Sequence, residues 1–150
     1  MEYDSTADTL KHIKTVDTLI ASVIRALMER ADNHDYSKLY PPEKEIFDEY
    51  TPKLKGVTYG SAEYKTYLKQ MQVALDHHYS KNKHHPEHYE NWIHEMDLID
   101  IIEMVCDWKA ATMRHNDGDI IKSVNINKDR FGISDQLFDI IMNTIHHFRW

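Results

Sequence analysis

Residues 6–30 read TADTLKHIKTVDTLIASVIRALMER, and this run decides the fold class. Leu10, Ile13, Val16, Leu19, Ile20, Val23, Ile24 and Leu27 recur every three or four positions, the spacing that lines up side chains on one face of an α-helix. Ser5 followed by Asp8 is an N-terminal capping pattern, so a helix is expected from about Thr6 to Arg30. His12 is in line with Val16 and Leu19, which lets its ring reach an interior.

The same periodicity returns downstream. Pro41-Pro42 precedes Glu43-Lys44-Glu45-Ile46-Phe47, a short helix started by proline. Thr51 to Gly60, punctuated by Pro52, Gly56 and Gly60, reads as a loop. Ser61 can cap a helix whose inner face carries Tyr64, Tyr67, Leu68, Met71, Leu75 and then His78, with His77 more sideways. Asn82 to His88 is a polar turn. Asp97 and Asp100 form a capping box for a helix to about Arg114. Its expected core face is Leu98, Ile101, Ile102, Val105 and Trp108, and an adjoining stripe carries Asp100, Met104, Asp107, Ala111 and Arg114. His115-Asn116-Asp117-Gly118 ends that helix, with Gly118 suited to a left-handed cap. Ser134 opens a last helix through Leu137, Phe138, Ile141, Ile145 and Phe148. Val57 and Val124 sit in stretches too short for convincing strands. The expectation is an all-α, single-domain helical bundle over residues 1–150.

Composition agrees with a globular domain: of 150 residues, 41% are hydrophobic and 29% charged. A formal net charge of −7 excludes a protein that coats nucleic acid through Lys and Arg. Metal ions could still bring a phosphorylated small molecule to such a chain. No apolar run approaches the length that crosses a membrane, and the N-terminus lacks a signal-peptide pattern. The lone Cys106 cannot form an internal disulfide, which fits a reducing cytoplasm, the expected location.

Eleven histidines, several of them clustered, point to metal chemistry. The decisive segment is Ala31-Asp32-Asn33-His34-Asp35-Tyr36-Ser37-Lys38, because an adjacent imidazole and carboxylate can converge on one divalent ion. Such donors suit Mn, Fe, Co, Ni or Zn without selecting among them. On a helical bundle the ligands must come from several helices. His12, His34, Asp35 and Asp107 meet that requirement, and one of the turn histidines His84, His85 and His88, above all His85, is a further ligand candidate. Cys106, among Val105 and Ile102, is placed as a buried hydrophobe and not as a nucleophile. Phosphate-binding glycine loops, serine elbows and zincin helices do not occur.

The order His12, His34-Asp35, Asp107 resembles the HD superfamily of all-α metal-dependent phosphohydrolases. The resemblance implies that these four side chains hold a divalent cation that activates water. His-Asp-Tyr-Ser-Lys is similar to the His-Asp-x-Gly-Lys of HD proteins with two metals, with Ser37 in the glycine position. By that likeness Lys38 faces the substrate phosphate, and His78 and His85 hold a second ion. The chain also resembles a narrower, functionally uncharacterised family of HD-like proteins frequent in bacteriophage genomes. The stretches that carry this include His78-Tyr79 with Asn82, His84-His85-Pro86-Glu87-His88 and Asp100 to Trp108.

The leading expectation is therefore hydrolysis of a small nucleotide or related phosphate ester. Asp35 and Lys38 would be catalytic, His12, His34, Asp35, His78, His85 and Asp107 would ligate one or two ions, and Lys38, Asn82 and Arg114 would bind substrate. Two alternatives stay open: an HD-type di-iron oxygenase, and a non-catalytic phage or host protein-binding module on the same fold. The aromatic end His146-His147-Phe148-Arg149-Trp150 could form a homodimer contact or be buried within the chain.

Overall fold

The computed structural model describes residues 3–58, 61–114 and 118–150, and among them the secondary structure is helical. The chain divides into two compact units, Met1–His34 and Asp35–Trp150.

The first unit is one helix, α1 (Thr6–Asn33), 28 residues long and three longer than its periodicity alone predicts at the C-terminal end. The extra turn is secured by the Asn33 side chain, which donates to the Glu29 carbonyl at 2.8 Å. The apolar stripe is present, but it is not a core face. Leu10, Ile13, Leu19, Ile20, Val23 and Ile24 are each about half exposed or more, and no residue of α1 is buried. The expected inward ring of His12 is likewise exposed.

The second unit opens with a 3-10 turn, Tyr36–Leu39, and a cis peptide bond between Pro41 and Pro42. Helix α2 (Glu43–Lys55) follows and runs further than expected, with Pro52 inside it. The proline removes one backbone donor, but it lies on the exposed side, where water can reach the carbonyl it leaves. The loop is thus shorter than read. Gly60 and His115-Asn116-Asp117, read as turn residues, lie outside the described residues.

Ser61 caps α3 (Ala62–Gln70) by accepting from the Tyr64 amide at 3.1 Å. The single helix expected from here to His78 is two, because the chain tightens at Met71. The Met71 amide donates to both Tyr67 and Leu68 carbonyls, and α4 (Gln72–Lys81) resumes beyond it. Met71 is 1% exposed, so the bend is held by burial.

Helix α5 (Leu98–Thr112) begins with the capping box foreseen: the Asp97 carboxylate accepts from the Asp100 amide, and the Asp100 carboxylate from the Asp97 amide. Its expected inner face is present in part, with Val105 buried in the core and Ile101 and Trp108 packed against it. Leu98 is 76% and Ile102 41% exposed, whereas Asp100 and Met104 of the adjoining stripe are buried, so the inward side takes in part of both stripes. Gly118 is not a left-handed cap. A Cβ there would overlap the Thr112 carbonyl, so glycine is required by close approach. The left-handed glycine is Gly132, with φ 64°, which ends α6 (Ile120–Phe131). That helix is legible only in hindsight: Asp119 caps it through the Ile121 and Lys122 amides, and Ile120, Val124 and Phe131 form its buried face. Helix α7 (Asp135–Phe148) is capped by Ser134, as expected.

Met104, Val105, Ile120, Val124, Ile141 and Ile145 from α5, α6 and α7 make the hydrophobic core. Trp108, Phe138 and Trp150 pack against it from its edge. Truncating Met104 to alanine removes a fully buried side chain and should cost about 2–5 kcal/mol. Asp97→Ala, which deletes one half of a cap, should cost about 1 kcal/mol. Urea denaturation of both variants checks the order; an unchanged midpoint for Met104→Ala would show that α5 does not pack as described.

Candidate metal centre

The polar counterpart of that core lies where the Tyr36–Leu39 turn, α2, α4, the 82–89 turn and α5 supply side chains to one place. Asp35 starts the turn in a left-handed backbone conformation, φ 57°, which aspartate tolerates better than most residues. The left-handed backbone is thus at Asp35 and not at Ser37. Lys38 Nζ donates to Asp35 Oδ2 at 2.6 Å. Asp35 Oδ1 is then left facing the histidines, 3.3 Å from His78 Nε2 and 3.5 Å from His84 Nε2.

His78 is 2% exposed and its orientation follows from hydrogen-bond counting. The Asn82 side-chain amide has two hydrogens, and its nitrogen is 2.9 Å from Ser37 Oγ and 2.8 Å from the His78 carbonyl. With both hydrogens so used, His78 Nδ1 is the donor to Glu43 Oε2 at 2.9 Å. Its Nε2 lone pair then points to Asp35 and to His85 Nε2, which is 2.9 Å away. His84 is placed similarly: Nδ1 is 3.0 Å from Glu103 Oε1, and Nε2 looks toward Asp35. A carboxylate behind an imidazole fixes the tautomer and raises the basicity of the free nitrogen, as in many metal-ligating histidines.

The 82–89 turn is held on several sides. His88 Nδ1 donates to the Tyr79 carbonyl at 2.8 Å, Arg130 donates to Glu87 Oε1 at 2.6 Å, and the Tyr89 hydroxyl donates to the buried Asp100 at 2.6 Å. His88 is thereby committed to structure. Burial, with Glu87 nearby, pushes the Tyr79 hydroxyl above its usual pKa.

One donor atom from each of Asp35, His78, His84 and His85 lies within 4.8 Å of the others. Two ligands bonded at about 2.0–2.1 Å to one ion stand roughly 2.9 Å apart in octahedral and roughly 3.3 Å apart in tetrahedral geometry. The spacings of 2.9, 3.3 and 3.5 Å match those edges. Charge fits as well. The side chains of Asp35, Glu43 and Glu103 are 17%, 0% and 9% exposed, and Lys38 brings one positive charge to them. A divalent cation offsets the remainder. The residues present can therefore hold such an ion.

Of the residues singled out from sequence, Asp35, His78 and His85 are brought together. Asp107 is half-buried on α5, with a donor atom within 4.8 Å of one from His84, and its charge acts on His85. His12 is on α1 and His34 is the residue that ends it; both belong to the first unit, and the four-donor set forms without them. Asn82 is buried with its amide donating to Ser37 Oγ and the His78 carbonyl, an arrangement that positions the turn. Arg114 is exposed just past the end of α5. His84, one of the three turn histidines considered, joins the set beside His85, and Glu43 and Glu103 join it from outside the expected residues. Glu43 also accepts from the half-buried His77 at 2.7 Å. Its signal was its register: Glu43 shares the inward stripe of α2 with Ile46, Phe47 and Tyr50.

Burial, reinforced by His84 and His78 and only partly opposed by Asp107 and Asp35, lowers the His85 pKa to about 3 from the ordinary 6.5. Protons then bind the unfolded chain preferentially, so His85 makes metal-free protein less stable as pH falls from 6.5 toward 3. In metal-free protein its ring signals should not titrate between about pH 5 and about pH 8 by two-dimensional NMR; a midpoint inside that range would place the ring in solvent.

No curated protein and no solved structure matches the chain. A family of unknown function, DUF5662, matches residues 1–147. The chain belongs to this family.

Proposed function

We propose that the second unit holds a divalent first-row cation and serves as a phosphohydrolase of the HD type, acting on a small nucleotide or related phosphate ester. The observation that carries the reading is the convergence of Asp35 Oδ1 with the imidazoles of His78, His84 and His85, two of them backed by carboxylates.

In this reading Asp35, His78, His84 and His85 would ligate the ion, and Asp107 would be an additional acceptor beside them. When bound, the cation would supply an activated water and polarise a phosphoryl oxygen. Lys38 sits one side chain away from the donor set, 34% exposed and paired with Asp35 Oδ2. There it can meet phosphoryl oxygens from the solvent side, a role set by charge and placement. Glu43 and Glu103 keep His78 and His84 in the tautomer that offers a lone pair. Asn82 and Ser37 bond around His78 and hold the ring against rotation.

Elemental analysis of the full chain tests this first. Wild type should carry Mn, Fe, Co, Ni or Zn at about one or two ions per chain, and Asp35→Ala should lose it. Glu43→Ala, which removes a carboxylate from behind His78, should weaken metal affinity by about 10- to 100-fold. Lys38→Ala should keep its metal and lose about 10²–10³ in rate on whichever phosphate ester of a nucleotide panel is turned over. Failure of wild type to take up any of these metals after soaking would sink the metal centre. Bound iron, with an absorption change in air and no phosphate release, would replace the hydrolase by the oxygenase.

A further inference from the structure

The exposed stripe of α1 is the largest feature that the metal centre leaves unexplained. Leu10, Ile13, Val16, Leu19, Ile20, Val23, Ile24 and Met28 are between 37% and 61% exposed on one continuous helix. At roughly 120 Å² for a whole aliphatic side chain, they present about 500 Å² of apolar surface per chain. Two such stripes amount to about 1,000 Å², which is the apolar share of a protein–protein interface of standard size.

We infer that α1 is a homodimer interface, in which α1 of one chain packs antiparallel on α1 of a second copy. The pattern is self-complementary about Ile20. Antiparallel pairing there sets Ile13 against the partner's Leu27, Val16 against the partner's Ile24, and Ile20 against itself. Asp8, on the flank of the stripe, then comes within reach of the partner's Arg30. Opposed helix dipoles favour the same orientation. The stripe runs from Leu10 to Met28, about 27 Å of helix at 1.5 Å per residue, so a second copy matches it along its full length.

The test is the mass of the full chain in solution, by light scattering or sedimentation equilibrium at about 100 µM, a concentration that populates any dimer of micromolar affinity. Wild type should weigh twice the 17.8 kDa of one chain. Ile20→Glu combined with Ile24→Glu should weigh 17.8 kDa with its helical circular dichroism retained. A wild-type mass of one chain overturns the proposal and leaves the stripe to the chain's own second unit or to another partner. A dimer that survives the double substitution also overturns it, by placing the contact elsewhere. Should that variant not fold, Ile20→Cys in a Cys106→Ser background decides. A disulfide-linked dimer on mild oxidation supports the antiparallel interface, and exclusive monomer refutes it.

Discussion

Burying Glu43, Asp35 and Glu103 among three imidazoles is the constraint on which the second unit depends. A carboxylate with no accessible surface, as Glu43 is, costs several kcal/mol unless donors and positive charge surround it. Glu43 meets the first requirement with two imidazole donors, at 2.7 and 2.9 Å. A nearby positive side chain is Lys38, paired with Asp35 Oδ2. The same electrostatics that make the cluster costly when empty of positive charge are what a bound cation, as proposed, would relieve. Local geometry follows from it: the left-handed Asp35 and the bend at Met71 both orient polar side chains toward this point.

The 82–89 turn shows how few regular contacts such a site needs. It has one short helical turn, Pro86–His88, and owes its shape to side chains that reach it from elsewhere. Arg130 comes from α6, Asp100 from the first turn of α5, and the Tyr79 carbonyl from α4. Asp100 serves two ends at once, since it completes the capping box of α5 and accepts from Tyr89. The start of a helix that packs on the hydrophobic core is therefore also a clamp on the histidine turn. Stability of the core and geometry of the site are linked through one buried carboxylate.

Much of this was legible in the sequence, for reasons that differ by residue. Ser61, Asp97 and Ser134 announce helix starts because capping is a local chemistry of side chain and nearby amide. His78 was placed inward by its register behind Met71 and Leu75, and Asp35 by its neighbours. The all-α class followed from periodicity. Helix α6 was missed because IIKSVNINKDRF is rich in β-branched and polar residues, and its three buried positions are set by packing against α5 and α7. The core face of α5 was legible at Ile101, Val105 and Trp108 and failed at Leu98 and Ile102. Apolarity was taken as the guide, whereas the buried Asp100 and Met104 and the half-buried Glu103 share the inward side. Glu43 and Glu103 escaped for that same reason: a charged residue on an inward stripe looks like an error of register until the imidazoles it serves are in view.

The apolar stripe of α1 carries the converse lesson. Periodicity reports that a helix face must be covered; it does not report what covers it. Leu10 to Met28 satisfy every local rule for a core helix, yet their side chains stand exposed within the chain's first unit. A pattern of this length and regularity is hard to account for as solvent-facing, because an apolar patch in water favours association. The metal-cluster residues behave oppositely: His78 and His84 are buried and Asp35 and His85 half-buried, while the pattern around them is polar. One unit thus carries an exposed apolar stripe and the other carboxylates with little solvent contact. In both, the residue chemistry and its environment disagree, and it is at such disagreements that periodicity stops reporting the fold.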